Sequence, residues 1–172
     1  MIREFTTLNR GTVGGGGTTR IGSHNLFMAY AHVAHDCLIG DGVVMANGAT
    51  LAGHVVIEDR AIVGGLVAIH QHVRIGESAI LGGGAMVSLD VPPYCMAAGD
   101  RAKLHGLNVI GLRRRGFGDE VINALKAAYR VLFQSGLRLA DAVARLRSDF
   151  PGCPEVEHLA AFVSSSTRGV CR

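Results

Sequence analysis

IGSHNLFMAYAHVAHDCLIGDGVVMANGATLAGHVV, residues 21–56, repeats its pattern every six positions. Stepping by six from its first residue and on past its end gives Ile21, Phe27, Val33, Ile39, Met45, Leu51, Ile57, Val63, Ile69, Ile75, Leu81 and Val87, all twelve apolar. Four places after each stand Asn25, Ala31, Cys37, Val43, Ala49, Val55, Ala61, Val67, Val73, Ala79, Ala85 and Val91, of which eleven are small and apolar. With 48% of the chain apolar, one such unbroken column arises by chance on the order of once in several thousand trials. An amphipathic helix needs apolar spacings of three and four, and a hairpin strand alternates at every second residue, so a period of six fits neither. It fits short strands joined by sharp corners, three hexads to a turn. The expected fold is a left-handed parallel β-helix of hexapeptide repeats, with the larger residue of each hexad pointing into a narrow prism and a small one beside it. Twelve hexads make four coils of 18 residues. Coils stack about 4.8 Å apart, so residues 18 apart in sequence become vertical neighbours.

Outward from this stretch the register changes at both ends. Ile2 and Leu8 keep the spacing, but Leu8 and Ile21 are 13 apart, so GTVGGGGTT (11–19) is expected to hold an insertion or bulged loop. Gly22, Gly40, Gly64, Gly76 and Gly82 each follow a large inward residue, where backbone freedom is expected to serve the corner. The repeat ends at Asp90-Val91-Pro92-Pro93, because proline cannot donate to the ladder. Beyond a connector the period becomes helical. Val121, Leu125, Ala128 and Leu132 form one stripe with Gly136 as its stop; Leu139, Val143 and Leu146 form a second; Val156, Leu159 and Val163 form a third after Pro154. The division expected is a β-helix over 1–91, a connector over 92–117 and a helical domain over 118–172 that closes one end of the prism. No comparable cap precedes the first coil, which leaves a core layer and an unpaired edge to cover. The expectation is a protein lacking N-terminal coils, through truncation or a misplaced start.

Composition sets outer bounds. The 172 residues include 24 Gly and no Trp, with aromatics at 5%, as suits a core of small aliphatic side chains. No apolar run reaches the roughly 20 residues of a membrane span, and the N-terminus lacks the order of a signal peptide. Cys37, Cys95, Cys153 and Cys171 are dispersed, with no CxxC pair and no disulfide framework. A soluble cytoplasmic protein with reduced thiols is expected. Residues 101–172 hold 12 Lys+Arg against 6 Asp+Glu, and residues 1–100 hold 5 against 8. A basic C-terminal part suits an acidic partner or a phosphorylated substrate, or is simply a solvated helical surface.

AHVAHDC (31–37) places His32, His35 and Asp36 on one coil, with His35 and Asp36 outside both inward columns. The 18-residue rule puts Gly53 and Gln71 above His35, and His54 and His72 above Asp36, with His70 beside Gln71. A carboxylate that fixes the tautomer of a histidine makes it a general base, and a glycine with no side chain beside it can offer its N–H to an oxyanion. That pattern suits acyl transfer. A histidine face on a β-helix also suits zinc, or plain polar decoration, and all three readings stand open on spacing alone. A second cluster, NVIGLRRRGF, holds Asn108, Arg113, Arg114 and Arg115. Guanidinium groups suit bidentate phosphate binding, or are solvated charges. No P-loop, dinucleotide fingerprint or aromatic interleaving for nucleic acid is present.

NRGTV, AHVAHDC, ANGATLAGHV, AIHQ, DVPPY, GLNVIGLRRRGF and STRGV stand in this order along the chain. In these segments it resembles the UDP-N-acetylglucosamine 3-O-acyltransferase family, which opens lipid A synthesis. The resemblance implies a homotrimer with active sites between subunits, no cofactor and no catalytic metal. It implies that His35 deprotonates the glucosamine 3-hydroxyl, that Asp36 orients His35, and that the Gly53 N–H stabilises the oxyanion formed on a 3-hydroxyacyl acyl carrier protein thioester. By the same likeness His32, His54, His70 and Gln71 line the cleft, Asn108, Arg114 and Arg115 meet nucleotide or carrier phosphates, and Gly83 leaves room for a longer acyl chain. Two departures stand out: family members are longer, and Ile110 occupies a place where some carry an acidic residue. The alternatives are an N-acyltransferase acting on an amino-sugar nucleotide, a zinc γ-type carbonic anhydrase, which would lack RRGF and the helical tail, and an inactive fragment that only trimerises. Membrane insertion is not expected.

Overall fold

The computed structural model describes residues 1–172 and shows a three-sided parallel β-solenoid followed by a helical region. Each hexad contributes a strand of two residues that ends on its large inward side chain. Thr7–Leu8, His32–Val33, Thr50–Leu51, Ala68–Ile69 and Met86–Val87 stack as one sheet. Arg20–Ile21, Leu38–Ile39, Val56–Ile57 and Arg74–Ile75 form the second. Leu26–Phe27, Val44–Met45, Ile62–Val63 and Ile80–Leu81 form the third, which Cys95–Ala98 extends in parallel and Lys103–Leu107 antiparallel. The coil-to-coil ladders pair residues 18 apart, as in Arg20 with Leu38. The ends are the exceptions: Thr7 meets His32, 25 residues on, and Ile80 meets Met96, 16 residues on. The surplus is the loop around a 3-10 turn at Val13–Gly15, where the broken spacing places an insertion.

The inward columns supply all but Ala97, Ala102 and Cys171 of a continuous core of 25 buried residues. Phe27, Met45, Leu51, Ile57, Ile75 and Leu81 are its largest fully covered members, each stabilising by about 1.5–3 kcal/mol through burial. Asn25, the polar member of the small column, is buried without loss. Its amide donates to the Gly22 and Gly40 carbonyls at 3.2 and 3.0 Å and its oxygen accepts from Val43 N–H at 2.7 Å.

The corners correct one expectation. Gly22, Gly40, Gly64, Gly76 and Gly82 do not adopt left-handed backbone; the residues that do stand immediately before the small inward column, among them Asp36, His54 and His72 at φ 59°, 62° and 64°. Those glycines are required by space instead. A Cβ on Gly64 would lie 2.5 Å from the Leu81 carbonyl oxygen, and one on Gly76 would lie 2.3 Å from the Pro93 nitrogen. The left-handed residues cost on the order of 1–2 kcal/mol each, and the ladders above and below hold them there.

The connector contains the last two strands and a short helix, α1 (Val109–Arg114), that helical periodicity does not flag. α2 (Asp119–Phe133), α3 (Leu139–Asp149) and α4 (Pro154–Ser165) follow. Asp119 and Glu120 in the first turn of α2 favour its positive end, and Pro154 starts α4 where its missing N–H costs nothing. Ile122 rather than Val121 is the buried residue of the first turn of α2, a rotation of one position. Fifteen buried residues make a second core, led by Leu125, Leu146, Leu159 and Phe162. α4 is tied to the solenoid by charge. His158 Nε2 lies 3.0 Å from Glu58 and its Nδ1 3.4 Å from Glu77 and 3.0 Å from the Tyr94 hydroxyl. Arg74 sits 4.3 Å over the Phe162 ring. After α4 the chain returns as a strap: Val170 bridges to Asp90, Ser166 Oγ donates to the Asp90 carboxylate at 2.7 Å, and Cys171 is buried. No helix is long and apolar enough to cross a membrane.

Candidate active site

The segment His32-Val33-Ala34-His35-Asp36-Cys37 finishes a strand of the first sheet and turns the corner. Because Val33 and Cys37 must both face inward, His35 and Asp36 stand outside, and the left-handed backbone at Asp36 folds its side chain back under the loop of residues 11–19. That loop covers it. Thr12 N–H donates to the two carboxylate oxygens at 3.0 and 3.1 Å, and its hydroxyl donates to Oδ2 at 2.7 Å. Gly15 is glycine for want of room, since a Cβ would fall 2.2 Å from Asp36 Oδ2. The Thr12 hydroxyl, with lesser help from His35 and the Thr12 N–H and against the cost of burial, holds the Asp36 carboxyl down to about 2. It is a carboxylate at any working pH.

His35 Nδ1 lies 2.8 Å from Asp36 Oδ2. A carboxylate only accepts, so Nδ1 carries the ring proton and Nε2 carries the lone pair. The Asp36 side chain is 1% exposed and that of His35 is 43%: a buried anchor holds a reachable imidazole. The ring lies over Gly53, where a Cβ would be 2.5 Å from Cε1 and 2.7 Å from Nε2. Gly53 accepts from His72 N–H at 3.2 Å, while its own N–H joins no backbone ladder. His54 Nε2 stands 4.0 Å from Asp36, and the His54 ring stacks on His72 at 4.6 Å and meets His35 edge-on at 5.2 Å.

His35, Asp36 and His54 offer donor atoms within 4.8 Å of one another, a spacing a metal ion can use. Both Asp36 oxygens already accept hydrogen bonds, so a cation there would have to displace Thr12. This donor set fits a hydrogen-bonded anchor better than a ligand set.

His32 and His70 sit on the strands leading to this corner. His32 Nδ1 meets Thr7 Oγ1 at 2.7 Å, and His70 Nδ1 meets Arg168 at 2.8 Å. Gln71 is exposed beside them. His70, Ser88, Arg101 and Arg168 line a groove of about 500 Å³.

The remaining residues singled out in the sequence lie elsewhere. Gly83 belongs to the corner after the third sheet, in an apolar groove of about 570 Å³ with Tyr30, Asn47, Gly48, Gly65 and Leu66. Asn108 is buried at the head of α1, where its amide donates to the Ser78 carbonyl at 3.0 Å and its oxygen accepts from Gly111 N–H at 3.1 Å. Arg115 donates to Ser78 Oγ at 2.5 Å and to the Arg60 carbonyl, which braces the connector against the remaining corner. Arg114 is exposed. Three residues carried no assigned role in the sequence: Thr12, hidden in a glycine-rich insertion; His158, on a helix; and Arg168, in the STRGV segment. The motifs NRGTV and STRGV contain the first and third and none contains the second, and no period links any of the three to the coils.

Residues 90–171 match the family model described as Udp N-acetylglucosamine O-acyltransferase, Domain 2, and residues 18–53 match that of the bacterial transferase hexapeptide. The acyl-[acyl-carrier-protein]–UDP-N-acetylglucosamine O-acyltransferase of Alkalilimnicola ehrlichii is 52% identical over 100% of this chain and 67% of its own. The enzyme of the same name from Anaeromyxobacter sp. (strain K) is 51% identical over 99% of this chain and 66% of its own. The crystal structure of UDP-N-acetylglucosamine O-acyltransferase from Moraxella catarrhalis RH4 superposes with a TM-score of 0.94 at 42% identity, covering 97% of this chain and 65% of that one. The chain thus spans about two thirds of the length of the relatives it matches.

Proposed function

The chain belongs to the UDP-N-acetylglucosamine O-acyltransferase family, and we propose that it moves a 3-hydroxyacyl group from acyl carrier protein to the 3-hydroxyl of UDP-N-acetylglucosamine, the first step of lipid A synthesis. The observation that carries the mechanism is the His35–Asp36 contact of 2.8 Å beneath the Thr12 cover. With its proton fixed on Nδ1, His35 presents the Nε2 lone pair. Nε2 takes the proton of the sugar hydroxyl as its oxygen attacks the thioester carbonyl carbon. Negative charge collects on the carbonyl oxygen, where the Gly53 N–H receives it. Collapse re-forms the carbonyl, breaks the carbon–sulfur bond and releases the carrier thiolate, which takes the proton back from the His35 imidazolium. Asp36 stays ionised throughout and stabilises that imidazolium.

Two features support a homotrimer. The His35 corner and the Gly83 groove occupy different corners of one triangular section, so a cleft between neighbouring copies is the arrangement that joins them over one acyl chain. The C-terminal part, residues 101–172 with 12 Lys+Arg against 6 Asp+Glu, suits the acidic carrier, and this proposal places the reaction in the cytoplasm. Incubating the chain with 3-hydroxyacyl carrier protein and either UDP-N-acetylglucosamine or its 3-amino analogue tests the reading. Ester formation on the hydroxyl sugar, abolished by His35→Ala with the trimer retained, is expected. Exclusive use of the amine would overturn O-acyl transfer, and full activity without His35 would remove it as the base.

A further inference from the structure

Arg168 lies 98 residues from His70 in sequence and enters through the strap. Its Nε donates to the Ser88 carbonyl at 2.8 Å and one terminal nitrogen sits 2.8 Å from His70 Nδ1. The strap fixes the guanidinium from both sides, since Asp90 N–H donates to the Gly169 carbonyl at 3.0 Å, Cys171 N–H donates to the Asp90 carbonyl at 2.8 Å and Ser166 holds the Asp90 carboxylate. Arginine has donors only. His70 Nδ1 must therefore accept, and the single proton of the neutral ring is left on Nε2. A competing partner exists: the Gln71 carbonyl is 3.2 Å from the same Nδ1 and would need the opposite tautomer. The charged, shorter contact decides the matter in favour of the guanidinium.

We infer that Arg168 is a positioning residue that locks His70 as its Nε2–H tautomer, opposite to the Nδ1–H tautomer that Asp36 imposes on His35. Two imidazoles of one face are thereby given complementary roles by partners of opposite hydrogen-bonding character. His35 meets an acceptor and keeps a basic nitrogen; His70 meets a donor and keeps an N–H. His70 can then only donate into the groove it shares with Ser88, Arg101 and Arg168, toward an acceptor oxygen of a bound substrate, and cannot act as a second base through Nδ1. The use of that N–H rests on the acyl transfer proposed above; the tautomer does not.

Long-range proton–nitrogen spectra of the ring-labelled histidines test the lock in the whole chain, with His70→Gln assigning the signal and the ring neutral. Wild type should show His70 protonated on Nε2 and His35 on Nδ1. Arg168→Met keeps the aliphatic stem and removes the donors, so His70 should move toward Nδ1–H, its remaining neighbour being the Gln71 carbonyl, while His35 does not change. Arg168→Lys restores a donor and should restore Nε2–H. In the acyl-transfer assay Arg168→Met should lose about tenfold in kcat/KM, with Lys recovering part of it. Labelling of Cys171 by a thiol reagent reports whether the strap stays docked; if Met releases it, wild type and Lys decide. A wild-type His70 on Nδ1, or an Nε2–H tautomer that survives Met in a docked strap, overturns the inference. A chain with the expected tautomers and no transferase activity in any form overturns the proposed function and leaves the lock standing.

Discussion

Histidine meets carboxylate in two regions of this molecule, and the two meetings are built differently. At the first corner His35 gives one nitrogen to Asp36 and leaves the other unclaimed by the chain. Where α4 crosses the solenoid, His158 has both nitrogens engaged, by Glu58 on one side and by Glu77 and Tyr94 on the other. The Glu58 and Glu77 hydrogen bonds push the His158 imidazolium up to about 9. A base needs a nitrogen with nothing on it, whereas a brace needs none to spare. Residue type alone therefore says little about a histidine here; the count of partners says most. The proposed lock on His70 adds a third arrangement, one nitrogen satisfied by a donor.

Breaking the first arrangement gives the largest effect. His35→Ala should lower acyl transfer by about 10²–10⁴-fold, with the melting temperature nearly unchanged because the side chain is half in solvent. Gly53→Ala follows: its methyl would land 2.5 Å from the His35 ring, so the imidazole must move and kcat should drop by about 10²-fold, measured beside an unaltered circular dichroism spectrum. Thr12→Val removes the hydroxyl that does most to keep Asp36 ionised at about 2. Its carboxyl should rise, and an Asp36 held less firmly should orient His35 less well, so kcat should fall about tenfold while Asp36 remains ionised at neutral pH.

The brace gives the smallest effect, on stability alone. His158 binds its proton more tightly folded than unfolded, so its contribution is complete below the unfolded value of 6.5 and fades as pH climbs through about 9. His158→Gln should cost about 1 kcal/mol near pH 6, a figure reduced for a side chain one-third exposed. Wild-type and variant melting temperatures should converge above pH 9, and a gap that persists there would show that packing, not charge, carries the brace.

The solenoid was legible because its physics is local and periodic. Two inward columns and the 18-residue stacking rule place Gly53 over His35 and His54 over Asp36 before any coordinates are seen, and the interruption at 11–19 is visible as broken spacing. What that interruption does was not legible: nothing in GTVGGGGTT says that Thr12 folds over a carboxylate 24 residues away. The corner glycines misled in a different way, since a left-handed corner and a crowded one both select glycine, and only the coil above shows which applies. Asn108 and Arg115 stand in a segment whose charge suggests phosphate, yet their side chains bond Ser78 and its surroundings. Contacts made by His158 and Arg168 join segments 64 to 100 residues apart, beyond the reach of any repeat.

The strap also orders events in time. Val170 pairs with Asp90 across 80 residues of sequence, a separation that makes its closure slow compared with neighbouring coils that pair over 18. Coils can therefore pair with their neighbours before the strap finds its place on Asp90. The groove beside His70 acquires its arginine wall only when that long-range pair closes, so the appearance of Cys171 protection during refolding would mark the moment at which this wall is in place.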